Sequence, residues 1–89
     1  MAAHQNAHLR RQIGDRLRDL RSRAGITSQE KLADRAGVHR TYVGRLERGE
    51  SGVTIEALAA ILAPLGVSLR EFFQPFQSAV RPRIPRRRG

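Results

Sequence analysis

The chain has 89 residues, 39% of them hydrophobic, which is enough for one domain around one small core. It contains no cysteine, no apolar run approaching the ~20 residues of a membrane span, and no secretory stretch in "MAAHQNAHLRRQ"; disulfides and thiolate metal sites are excluded. Lys and Arg number 17 against 8 acidic residues, a net +9 with a pI near 11.8, which favours a polyanionic partner, nucleic acid before an anionic membrane.

Residues 1–8 are small and polar and are expected to form a flexible N-terminus. From Leu9 to Arg23 the apolar residues Leu9, Ile13, Leu17 and Leu20 recur at helical spacing, with Arg10, Arg11, Arg16, Arg18 and Arg21 filling much of the rest. This predicts an amphipathic helix that Gly25 ends by taking a left-handed cap. "TSQEKLADRAG" starts a second helix. Thr27 and Glu30 have the spacing of a capping box, and Ser28 is an equally good N-cap. Leu32 and Ala36 face inward beside the small Ala33, and Gly37 closes the helix.

Only a short connection separates this helix from the next, expected over about Arg40–Arg48 and stopped by Gly49. Val43 and Leu46 lie on its apolar face. Its other face presents Arg40, Thr41, Tyr42 and Arg45, all hydrogen-bonding groups. "ESGV" reads as a loop, and Thr54 as the cap of a fourth helix with Ile55, Leu58, Ile61, Leu62 and Leu65 inward. Pro64 should end or bend that helix near Ala63. "SLRE" (Ser68–Glu71) fits a capping box for a short fifth helix ending near Phe73. The segment "PFQSAVRPRIPRRRG" (75–89) reads as a basic, disordered or loosely docked C-terminal tail. No strand pattern or internal repeat is present, so the fold class is all-α, with one domain over residues 9–74.

Ala33, Gly37, Val38, Val43 and Leu46, taken with Leu32, have the spacing of a helix-turn-helix. Two helices that cross at a steep angle need a small residue at the contact, a glycine in the turn and branched residues to fill the angle. The stretches "IGDRLRDLRSRAG", "SQEKLADRAG", "HRTYVGRLERGE" and "IEALAAILAPLGVSLREFF" resemble the phage-repressor/Cro-like (XRE) helix-turn-helix family over about residues 10–74. "HRTYVGRLERGE" is most similar to the small controller proteins of restriction–modification systems, and antitoxin and metabolic repressors share the pattern. The resemblance implies a five-helix, lambda-repressor-like DNA-binding domain and a cytoplasmic bacterial or phage regulator, nucleoid-associated when bound.

It also implies roles. The helix from Arg40 would be the recognition helix, its first residues reaching base edges in the major groove. Arg40 and Arg45 would each fork onto a guanine, Thr41 would touch a base or a thymine methyl, and Tyr42 a phosphate, sugar or base. Ser28 and Gln29 match positions that hold the DNA backbone, where helix-start amides favour an anion. Arg21 and Glu47 match a structural pair bridging the first and third helices. The chain departs from the family pattern in four places. "GITSQE" has one residue more than the common spacing, and His39 stands where a Ser-type cap is usual. Ser51 and Gly52 replace a basic residue and Asn, and Pro64 is unusual in the fourth helix.

Blander readings stand beside these. The Arg40 face can be a solvated helix surface, Tyr42 can pack on its own domain, and Arg45 can pair with a surface carboxylate. The Arg-rich first helix reads as a solvated face before a second DNA site. His4 and His8 lack a third ligand for a metal, and no nucleophile motif or paired carboxylates support catalysis, so no enzyme, metal or cofactor is expected. The tail is equally a solubilising end or a non-specific DNA grip. Phe72 and Phe73 cannot both enter one small core, so one of them, with Leu65, Leu69 or Phe76, is a candidate apolar patch for a two-fold partner, unless the tail covers it. The expected partner is a palindromic duplex operator bound by a homodimer, with no small-molecule effector. The rival readings are a protein-interaction adaptor or antitoxin on the same domain, and a basic architectural or RNA-binding protein.

Overall fold

The computed structural model describes residues 6–76, which form five α-helices and no strand. They are α1 (Ala7–Arg23), α2 (Gln29–Ala36), α3 (Arg40–Glu47), α4 (Ile55–Leu62) and α5 (Leu69–Phe73), with single 3-10 turns at Ala63–Leu65 and Gln74–Phe76. The expectations for residues 77–89, and for His4 as a ligand, lie outside the described residues.

Each helix boundary has a local cause. Asn6 Oδ1 accepts from Leu9 N–H at 2.8 Å, so α1 starts at Ala7 rather than at Leu9. Gly25, at φ 78°, turns the chain after α1, and Ile26 N–H donates back to Arg21 C=O at 3.1 Å. That reversal drops Ile26 into the core, a loop residue no periodicity marks. Ser28, not Thr27, caps α2: its Oγ accepts from Lys31 N–H at 3.1 Å. Gly37 takes φ 75°, and only Val38 and His39 then precede α3.

The core is built from Leu17, Ile26, Leu32, Ala33, Val43, Leu46, Leu58, Ile61, Leu62, Phe72 and Phe76. Ala33 on α2 and Val43 on α3 are both buried, and the two helices pack against each other, as the helix-turn-helix spacing requires. α1 crosses α3 at Gly14, where a Cβ would come within 2.6 Å of the Glu47 carbonyl oxygen. Hydrogen would have to serve there in place of any side chain, so the sequence carries glycine inside a helix.

Two expectations are corrected. Ile55 is 58% exposed rather than inward, because it sits in the first turn of α4, before the helix reaches the core. Phe76 is buried, so helical order runs past residue 74. Phe72 goes fully inside and Phe73 stays half-buried. The three rings pack against one another at centroid distances of 4.9, 5.7 and 5.2 Å, so Phe76 closes the cluster rather than widening an exposed patch. Pro64 acts as expected: α4 ends at Leu62 and the chain tightens into a 3-10 turn. Ser68 and Glu71 form the full capping box of α5, with Ser68 N–H donating to Glu71 Oε1 at 2.8 Å and Glu71 N–H to Ser68 Oγ at 3.0 Å. Arg16 of α1 holds the other end, donating to the carbonyls of Phe72 at 3.0 Å and Glu71 at 2.8 Å.

Candidate nucleic-acid interface

The start of α2 and the outer face of α3 enclose an open cleft of about 400 Å³, lined by Ser28, Gln29, Glu30, Arg40, Thr41, Gly44 and Arg48. Four of the six residues singled out from the sequence, Ser28, Gln29, Arg40 and Thr41, therefore meet in one place. Tyr42 and Arg45 do not line it. Tyr42 is half-buried and packs against the core, while Arg45 is exposed elsewhere on α3.

The base of this arrangement is a buried charge. Glu47, at the end of α3, is 1% exposed and accepts from Arg21 Nε at 2.7 Å and Nη2 at 3.0 Å. The same carboxylate accepts from Gln29 Nε2 at 3.0 Å, and Arg21 Nη1 donates to Ile26 C=O at 3.0 Å. One anion thus ties α1, α2 and α3 together and fixes Gln29 at the back of the cleft. Donating hydrogen bonds to Glu47 raises the Arg21 guanidinium pKa, burial opposes the shift, and the Coulombic attraction of Glu47 adds to it. Gln29, expected from the sequence to hold the DNA backbone, has its amide donor engaged internally, and its Oε1 lies 2.9 Å from where a Cβ would stand at Gly44.

The start of α3 is capped by His39, whose Nδ1 accepts from Thr41 N–H at 3.0 Å. An imidazole replaces the usual hydroxyl and still satisfies one of the orphan donors. Arg40 Nη1 lies 3.7 Å from Glu30 Oε1, and both side chains are more than half exposed, so this is a weak surface pair that other anions can displace. Arg48 and Glu50 form a closer pair at 2.9 Å. The hydrogen bond from Arg48 holds the Glu50 carboxyl below the usual carboxylate range; burial pushes the other way, and the charges of Arg48 and Arg45 assist.

Gly44 and Arg48 escaped the sequence reading. Both repeat at four-residue intervals from Arg40, so helical periodicity alone places all three on one face. No group of His, Cys, Asp and Glu able to hold a metal occurs among the described residues, and no helix there is long and apolar enough to cross a membrane.

Comparison with known proteins identifies the family and the fold. Residues 12–72 match the family model described as a helix-turn-helix domain. Control protein C.BamHI of Bacillus amyloliquefaciens is 34% identical over 64 residues, spanning 72% of this chain and 79% of that protein. Control protein C.MunI of Mycoplasma sp is 34% identical over 65 residues, spanning 73% of this chain and 88% of its own length. The crystal structure of the restriction-modification controller protein C.AhdI from Aeromonas hydrophila superposes with a TM-score of 0.72 at 37% identity, covering 79% of this chain and 100% of that one. The chain belongs to the helix-turn-helix family of DNA-binding transcription regulators, which are not enzymes, and is homologous to restriction–modification controller proteins.

Proposed function

We propose that this protein binds a palindromic duplex operator sequence-specifically, as a homodimer, and so regulates transcription. The observation that carries this reading is the convergence of Ser28, Gln29, Arg40 and Thr41 on one cleft between the start of α2 and the outer face of α3. Ser28 and the first amides of α2 suit a phosphate, which anchors the domain without reading sequence. Arg40 and Thr41, on the first turn of α3, reach past the backbone to base edges, where an arginine fork matches guanine O6 and N7. Arg45, exposed farther along α3, takes a second base or phosphate. Tyr42, half-buried, contributes from the side of its ring.

One recognition helix reads few base pairs. Two of them, related by a two-fold axis and about 34–36 Å apart, read a palindrome and multiply the specificity. Selection of bound duplexes from a random pool, at about 150 mM salt to suppress sequence-independent phosphate binding, tests the reading. Enrichment of a palindrome with half-sites one helical turn apart is expected. Binding at low salt without enrichment would overturn sequence-specific readout and favour an architectural role. Stoichiometric capture of a second protein through the α3 face, without DNA binding, would favour an adaptor.

A further inference from the structure

Arg48 contributes a guanidinium to the cleft that the reading above leaves unused. Its Nε and Nη2 donate to Glu50 Oε2 and Oε1 at 2.9 and 3.3 Å, so one edge of the fork is held by a carboxylate just beyond the helix. Glu50 is itself fixed by the backbone. It follows Gly49 at φ 73°, and its N–H donates to Arg45 C=O at 2.8 Å. The third nitrogen, Arg48 Nη1, lies 3.1 Å from the position a Cβ would take at Gly44.

Gly44 is buried in the interior of α3, where glycine is among the least favourable helix residues. The missing side chain leaves room for Arg48 Nη1 and Gln29 Oε1 to approach over the cleft floor. A carboxylate beside such a site can act in either of two directions. As a plain negative charge near a DNA-binding face it repels phosphate and weakens all binding. As a clamp on a long, flexible side chain it removes rotamer freedom before the ligand arrives, which strengthens binding. The two-point contact, the anchored Glu50 backbone and the inward aim of Nη1 favour the clamp.

We propose that Arg48 is a further DNA-contacting residue, donating from Nη1 to a backbone phosphate at the cleft, and that Glu50 is its positioning residue. This inference rests on the duplex-DNA reading. With Nε and one N–H of Nη2 held by Glu50, Nη1 has no partner among the described residues, and its place in the cleft beside Ser28 and the start of α2 suits a phosphate oxygen.

The test is equilibrium binding of the full chain to its selected duplex and to a random duplex across a range of salt concentrations. Wild type, Arg48→Ala, Glu50→Ala and the double variant are compared, with thermal melts to verify folding. Arg48→Ala should weaken both duplexes about equally, by roughly tenfold at fixed salt, with base preference intact. Its log–log salt slope should fall by about 0.9, the share of one phosphate. Glu50→Ala should also weaken both duplexes, and the double variant should be no weaker than Arg48→Ala alone. Tighter binding by Glu50→Ala, or an unchanged salt slope in Arg48→Ala, would overturn the proposal. A wild-type chain that selects no duplex defeats the DNA reading itself; one that selects a duplex while Arg48→Ala keeps its slope defeats only this inference.

Discussion

Arg21 of α1 and Glu47 of α3 form a two-point ion pair at 2.7 and 3.0 Å inside the domain, and the carboxylate also receives the side-chain amide of Gln29 from α2. The pair orients α3, the proposed recognition helix, relative to α2, whose start is proposed to hold the DNA backbone. Removing one partner leaves a buried charge with no counterpart, which costs far more than the pair gains over an apolar replacement. Arg21→Ala or Glu47→Ala should each lose about 3–5 kcal/mol in denaturant unfolding. A loss below about 1 kcal/mol, the scale of an exposed pair, would mean that water reaches this site.

Gly14 opposes helix propensity for the sake of packing. Alanine would ordinarily favour a helix interior by about 1 kcal/mol over glycine. Here its Cβ would meet the Glu47 carbonyl oxygen at 2.6 Å and carbonyl carbon at 2.8 Å, backbone atoms that cannot rotate away. Gly14→Ala should therefore destabilise by about 1–3 kcal/mol as α1 is pushed off α3. A stabilised variant in thermal melts would show that α1 and α3 sit farther apart.

His39 gives α3 its first turn through one acceptor, Nδ1, toward Thr41 N–H. His39→Ala should lower stability by about 0.5–2 kcal/mol, while His39→Ser or His39→Asn should restore most of it. Equal losses in all three variants would indicate that the imidazole acts through packing instead of capping.

Acid should weaken the fold through two carboxylates. Ser68 holds Glu71 below the usual carboxylate range, first through its backbone N–H and then through its hydroxyl, with burial opposing. Glu50 is lowered chiefly by its hydrogen bond from Arg48. A carboxyl depressed in the folded state contributes stability that is complete above its unfolded pKa and is lost as pH falls through the folded one. Unfolding free energy should thus decline on acidification below the ordinary carboxylate range, and less steeply in Glu71→Gln. Identical pH profiles for wild type and Glu71→Gln would remove Glu71 from this account.

The helix-turn-helix was legible because its geometry imposes residue types locally: Ala33 at the crossing, Gly37 at φ 75°, Val43 in the angle. The role of Glu47 was legible only through family resemblance, since composition does not mark a charged residue as buried. Ile26 was missed because a loop residue has no periodicity, and Phe76 because it follows Pro75 in a segment whose composition reads as tail, although it lies only four residues from Phe72 and three from Phe73. Ile55 fitted the apolar spacing of α4, yet it lies before the helix reaches the core. In the cleft, Arg40 and Thr41 were found from the start of α3, whereas Arg48 needed the position of Glu50 beyond the helix end to acquire an aim.

If the first turn of α3 reads bases, as proposed, Arg40→Ala is the variant that exposes it. Duplex selection with this variant, run beside wild type and beside Arg45→Ala, reports the base preference at each operator position. A loss of about 1–3 kcal/mol for the selected duplex and a relaxed preference at one symmetric pair of positions are expected, with binding to random duplex far less affected. An unchanged motif in both Arg40→Ala and Arg45→Ala would contradict base reading by this helix.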